Sequence, residues 1–238
     1  MSARNGMRIG RSLALGAAAL FFSLAARAHI EIESGAATSN ATNEVGFAVG
    51  HGCSGNDTYK VVIDIPAGVT SVRPMRSDFA IPTITKDVSG NVTSVTWQKS
   101  TSDALDTDIA FYRLTIRLKT PDQPLSTLYF AAHQTCRAAN GYLSVVEWTD
   151  LPTTPAGQQT GNPAAALKML PAHTPGWNKM TVPAAISDLS VFFKDAQIVW
   201  KGNAAYSGNA NVAPLITSTS GVTALTSLSA GDEVWVKY

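Results

Sequence analysis

The sequence predicts an all-β protein built on an antiparallel β-sandwich, followed by a β-rich C-terminal extension. Three observations carry this. Short runs rich in Val, Ile, Thr, Tyr and Phe alternate with turns rich in Gly, Pro, Asn, Asp and Ser. The runs show period-two alternation, as in "FYRLTIRLKTP", where Leu114, Ile116 and Leu118 alternate with Arg113, Thr115, Arg117 and Lys119. No helix-period segment lies between them, which argues against a βαβ architecture.

The first runs follow that reading in order. "HIEIES" places Ile30 and Ile32 on one face and begins a strand. After the turn "TSNATN", "NEVGFAVG" places Val45, Phe47 and Val49 on one face. A hairpin centred near Asn40 and Ala41 would pair residues whose numbers sum to about 81, setting His29 against Gly50 to Gly52. "YKVVIDIPAGV" puts Val61, Ile63 and Ile65 on one face and turns at Pro66, Ala67 and Gly68. "NVTSVTW", "STLYFAAHQTC" and "GYLSVVEWTD" supply further strands.

Residues 150–180, rich in Pro, Gly, Thr and Ala, read as a long loop, with 172–182 as the linker proper. The sandwich is then 29–171 and the extension 183–238. Within the extension, a short helix is expected around Val212 to Thr217. No internal repeat and no Gly-rich phosphate loop is present.

The amino terminus has the layout of a cleaved export signal. Arg4, Arg8 and Arg11 precede an apolar run from Leu13 to Leu24, and Ala26-Arg27-Ala28 matches an A-x-A site. The run is too short to span a bilayer. Cleavage after Ala28 removes four arginines and no acid, so a net charge of +1 becomes −3. A mildly acidic product has no basic footprint for nucleic acid. It also keeps no membrane span. A periplasmic or extracellular location is expected.

Cys53 and Cys136 are the two cysteines. In an oxidising compartment a disulfide is the natural reading. Closing so long a loop stabilises a fold by roughly 4–5 kcal/mol in the chain-entropy model. A thiolate metal pair is the rival reading, set lower because neither cysteine lies in a CxxC.

Cleavage would also make His29 the first residue, joining a free amine to an imidazole. Such a pair is a ready chelate, and nitrogen ligands in a tetragonal arrangement suit Cu(II). Its bland alternative is a frayed terminal residue. The disulfide would bring "AHQTC" to the same end, so His51 and His133 are expected near His29. His51 shares the parity of Val45, Phe47 and Val49, so it reads either as a hydrogen-bonded residue orienting the "HGC" loop or as a second nitrogen ligand. His133 has the opposite parity from Cys136, so a surface position is open to it. His173 reads as a linker residue. Only Met75, Met169 and Met180 remain after cleavage, too few for a Met-rich Cu(I) site.

Four ordered blocks from about His29 to Pro171 resemble the YcnI-like copper-binding domain family. They are the histidine after the signal, "HGCSGNDTYKVVIDIPAGVTSVRPM" (51–75), "LYFAAHQTC" (128–136) and "VVEWTDLP" (145–152). The ending "DAQIVWKGNAAYSGN…GDEVWVKY" looks like the tail of longer bacterial members. The resemblance implies an immunoglobulin-like fold and a Cu(II) site. There the amine and imidazole of the first residue bind the metal, a carboxylate completes the plane and a tryptophan covers the axial side. His29 matches the histidine. Trp148 matches the tryptophan, with core packing as its alternative role.

The carboxylate departs from the family pattern. The stretch "DALDTDIAFYRLTIRL" contains no glutamate and carries Ala110 and Arg113 in the aligned region. Asp108 is the chosen substitute and Asp106 the next acid, with His51 or water as the remaining options. Glu31 is a weaker candidate, and Arg113 would oppose a cation.

The expected function is extracytoplasmic Cu(II) binding, as a non-enzymatic metallochaperone or copper-homeostasis factor. Its partners would be the copper ion and a copper-transport or copper-resistance protein. Two alternatives stand beside it: a histidine-brace copper oxidase acting on polysaccharide, and a metal-free adhesion or assembly module.

Overall fold

The computed structural model describes residues 29–153 and 161–238. The export signal read in residues 1–28 lies outside them.

The first part of the chain forms β1 (Ile30–Ile32), β2 (Ala37–Thr38), β3 (Thr42–Val49), β4 (Asp57–Asp64), β5 (Thr70–Pro74) and β6 (Thr83–Lys86). It continues with β7 (Val92–Gln98), β8 (Tyr112–Lys119), β9 (Ser126–Phe130), β10 (Ala132–Arg137), β11 (Leu143–Trp148) and β12 (Ala165–Leu170). Two sheets, ordered β1-β3-β8-β5 and β11-β10-β4-β7-β6, face each other across one core. This is the sandwich that the alternation predicts. Val45, Phe47, Val61, Ile63, Val95, Trp97, Leu114, Ile116 and Leu118 are fully buried in it. Each such side chain contributes about 1.5–3 kcal/mol. A one-residue slip would turn the whole set outward, so the register is firmly specified.

A third sheet, β2-β12-β9, flanks β1 and extends the core with Leu128, Phe130, Leu167 and Met169. It changes two sequence expectations. β1 pairs with β3 as Ile30↔Val49 and Ile32↔Phe47, a sum of 79 rather than 81. The chain between them is no simple hairpin, because Ala37 and Thr38 leave to pair in parallel with Met169 and Leu170. Asn43 holds that excursion, donating from Nδ2 to the carbonyls of Thr38 and Ala41.

The second change concerns 150–180. Residues 165–170, expected in a loop, form a core strand in which Ala165, Leu167 and Met169 are buried. "AALKML" alternates correctly but lacks β-branched residues, so its strand character comes from its neighbours. The segment 172–182, expected as a linker, contains β13 (Trp177–Thr181), which pairs with the last strand.

The C-terminal part continues with α1 (Leu189–Phe192), β14 (Ile198–Lys201), β15 (Ala204–Tyr206), α2 (Ala213–Ser218), β16 (Thr223–Ala224) and β17 (Glu233–Lys237). Its sheet runs β13-β17-β14-β15-β16. The short helix expected near 212–217 is α2. A second core holds Val182, Leu189, Phe193, Val199, Val234 and Val236, and Leu125 from the sandwich inserts into it. Among the described residues, no helix is long and apolar enough to cross a membrane.

Candidate metal centre at one end of the sandwich

His29 directly precedes β1, meets Trp148 at the end of β11, and by the β1–β3 register lies opposite the start of the loop after β3. Ile30 is buried and paired with Val49, which fixes the backbone immediately after His29. The His29 ring lies 5.5 Å from the Trp148 ring, centre to centre, tilted by 56°. Trp148 is only 3% exposed, so it packs in the core and meets His29 at once.

Gln134 holds this arrangement. It is buried on β10, and its Oε1 accepts the Trp148 indole N–H at 3.0 Å. Its amide donates to the His51 carbonyl at 2.9 Å and to Thr58 Oγ1 at 2.8 Å. One side chain therefore links the tryptophan to the segment carrying His51. No motif in the sequence marks Gln134 as a site residue. The available signal was its parity with Ala132 and Cys136, which puts an amide on a buried face.

The "HGC" loop is tightly shaped. Cys53 N–H donates to the Asn56 carbonyl at 3.1 Å. Gly52 sits so close that a Cβ there would come 1.8 Å from that same carbonyl oxygen, so no larger residue fits. The loop is tied down by the expected Cys53–Cys136 disulfide. A closed disulfide suits an oxidising, extracytoplasmic compartment.

His51 is half-exposed. Its Nδ1 lies 2.9 Å from the Gly52 carbonyl oxygen and 3.9 Å from Asp108 Oδ2. Donation from Nδ1 to that carbonyl leaves Nε2 as the lone-pair nitrogen. His51 thus orients the loop through its contact with the Gly52 carbonyl. Asp108 backbone N–H donates to the Gly55 carbonyl at 3.0 Å, which docks the acid's loop against the "HGC" turn.

That loop, residues 99–111, is anchored by a buried ionic cluster. Asp57 is fully buried. Its Oδ2 accepts from Lys99 Nζ at 2.5 Å and from Leu105 N–H at 2.9 Å, and its Oδ1 accepts from the Tyr112 hydroxyl at 2.6 Å. One carboxylate therefore ties down both ends and the middle of the loop that carries Asp108. Burial, the hydrogen bond to Asp57 and the charges of Asp57 and Asp108 raise the Tyr112 pKa well above its ordinary value, so the phenol stays neutral. Asp57 shares the parity of Val61 and Ile63, so the sequence itself marks it as an acid on an apolar face.

The remaining expected residues fall elsewhere. His133 lies on the outer face of β10, between Asp64 (3.0 Å from Nε2) and Glu147, which contacts Nδ1. The expected convergence of His133 with His29 and His51 is therefore not found; strand parity turns it away from Gln134 and Cys136. Glu31 is exposed and pairs across the strand with Ala48. Arg113 does not stand as a bare cation, because its Nε donates to Glu33 Oε2 at 2.9 Å. His173 stacks on Tyr238 at 3.7 Å. Among the described residues, no three His, Cys, Asp or Glu side chains converge to hold a metal ion. A metal at His29 would therefore need a donor beyond side chains, such as the amine that the expected cleavage would release.

Comparison with known proteins agrees with this architecture. A crystal structure of an uncharacterized protein from Nocardia farcinica, reported to have an immunoglobulin-like fold, matches with a TM-score of 0.50 at 22% identity. The match covers 60% of this chain and 99% of that one, and it identifies the fold as immunoglobulin-like. None of the curated proteins compared matches the chain. The family model described as "Domain of unknown function (DUF1775)" matches residues 29–169. This chain belongs to the DUF1775 family, the YcnI-like family that its sequence blocks resemble.

Proposed function

We propose that the exported chain binds Cu(II) at His29 and serves as an extracytoplasmic copper carrier rather than an enzyme. The observation that carries the reading is the His29–Trp148 contact, with Trp148 held by a buried hydrogen bond to Gln134. His29 would supply its amine and an imidazole nitrogen. Asp108, which lies beside His51, or His51 itself is the further donor proposed for the ion. Trp148 would shield the ion on one side. A site with so few protein ligands can release its metal to a copper-transport or copper-resistance partner by ligand exchange.

Nitrogen and carboxylate donors favour Cu(II) over softer ions, which prefer thiolate or thioether. Both cysteines are consumed in the disulfide, so no thiolate competes. Titration of Cu(II) into the chain beginning at His29, followed by tryptophan fluorescence, tests the reading. Saturable one-to-one quenching, much reduced in Trp148→Phe and absent in His29→Ala, is expected. Unchanged titration of His29→Ala would reject it.

A further inference from the structure

The two lateral openings of the sandwich differ. At one, β1 and β11 are the edges, the β2-β12-β9 sheet flanks β1, and His29 meets Trp148. At the other, β5 and β6 are the edges, and no further strand covers either among the described residues. A groove of about 920 Å³ runs between them.

Its lining is apolar at several points and basic at others. Val72 contributes, with Ile81 66% and Ile84 43% exposed. Arg73, Arg76 and Lys86 supply the charge, and among the described residues no acid lines the groove. Among the described residues, none of the three pairs with a carboxylate. Asp87, next to Lys86, is occupied within its own turn, accepting from Ser89 N–H, Asn91 N–H and Asn91 Nδ2. All four residues of β6 are exposed, and among the described residues the strand pairs only with β7.

We infer that this open seam receives an extended acidic segment of a partner protein, which adds as a strand to the edge of β5 or β6. An edge strand presents unpaired backbone groups that template another strand. The alternating side chains of the incoming segment would place apolar groups against Val72, Ile81 and Ile84 and carboxylates against the basic groups. Charge decides the occupant. A second copy of this edge would bring three like charges against three and be repelled, whereas an acidic strand is attracted.

The test uses a fluorescently labelled, end-blocked seven-residue peptide of alternating Glu and Val, with binding read by anisotropy. The wild-type chain should bind it saturably. Arg73→Glu/Arg76→Glu should weaken binding at least tenfold while keeping the wild-type melting temperature, because both side chains are exposed. The same peptide N-methylated at alternate residues keeps its charges but loses backbone donors, and it should also bind at least tenfold more weakly. Amide shifts in bound protein should concentrate in Thr70–Pro74 or Thr83–Lys86. Equal binding by the double variant, equal binding of the N-methylated peptide, or no saturable binding by the wild type would each overturn the inference.

Discussion

Trp148 and Gln134 are bound to each other, indole N–H to amide oxygen at 3.0 Å, and both are almost wholly buried. Gln134 spends its remaining donors on His51 and Thr58. Replacing it with Ala would strand three polar partners, each worth about 1–3 kcal/mol if left unsatisfied. Gln134→Ala should lose roughly 3 kcal/mol or more in a denaturant titration. Gln134→Glu keeps an acceptor for Trp148 but loses the amide donors, so Trp148 fluorescence should stay closer to wild type than stability does.

The Asp57–Lys99 pair makes a second prediction. Both side chains are buried, so removing one partner leaves an uncompensated charge. Asp57→Asn should destabilise by about 3–5 kcal/mol. The double variant Asp57→Asn/Lys99→Met should recover part of that loss. Because Asp57 anchors the loop bearing Asp108, Asp57→Asn should also weaken Cu(II) binding under conditions where the variant is folded, measured by chelator competition.

The disulfide can be tested directly. It closes a separation of 83 residues. In the chain-entropy model, Cys53→Ser/Cys136→Ser should lose about 4–5 kcal/mol. Equal stability with and without the bond would show that the reduced chain already holds these segments together.

His133 gives a pH dependence with a definite sign. Desolvation lowers its pKa, but hydrogen bonds and charges from Asp64 and Glu147 together outweigh that and leave it raised. A raised imidazole pKa adds stability that is fully present below the unfolded value of about 6.5 and is lost as pH rises through the folded value. The melting-temperature gap between wild type and His133→Asn should therefore be widest in acid and shrink above neutrality. A gap that widens with rising pH would contradict the assignment.

The sandwich was legible because its strands alternate cleanly; Leu114, Ile116 and Leu118 against Arg113, Arg117 and Lys119 leave one possible inward face. β12 was not legible, because Ala165, Ala166, Leu167, Lys168, Met169 and Leu170 carry little intrinsic strand preference and are made a strand by β9 and β2. At the candidate site, His29, Trp148 and the cysteines could be named from motifs. Gln134, Asp57 and Lys99 could not, since their roles depend on cross-strand partners far away in sequence. Parity marked Gln134 and Asp57 as polar groups on buried faces, and buried polar groups need partners. His133 was misplaced because the disulfide fixes which end of the sandwich it occupies, while parity decides which face.

The most direct measurement is electron paramagnetic resonance of Cu(II) bound to two forms of the chain. One is verified by mass spectrometry to begin at His29, and the other carries a single Ala before it. The account predicts a nitrogen-rich type-2 signal in the first form that is lost or clearly weakened in the second. Equal spectra would show that the amine of His29 is not a ligand and that the residue simply precedes β1.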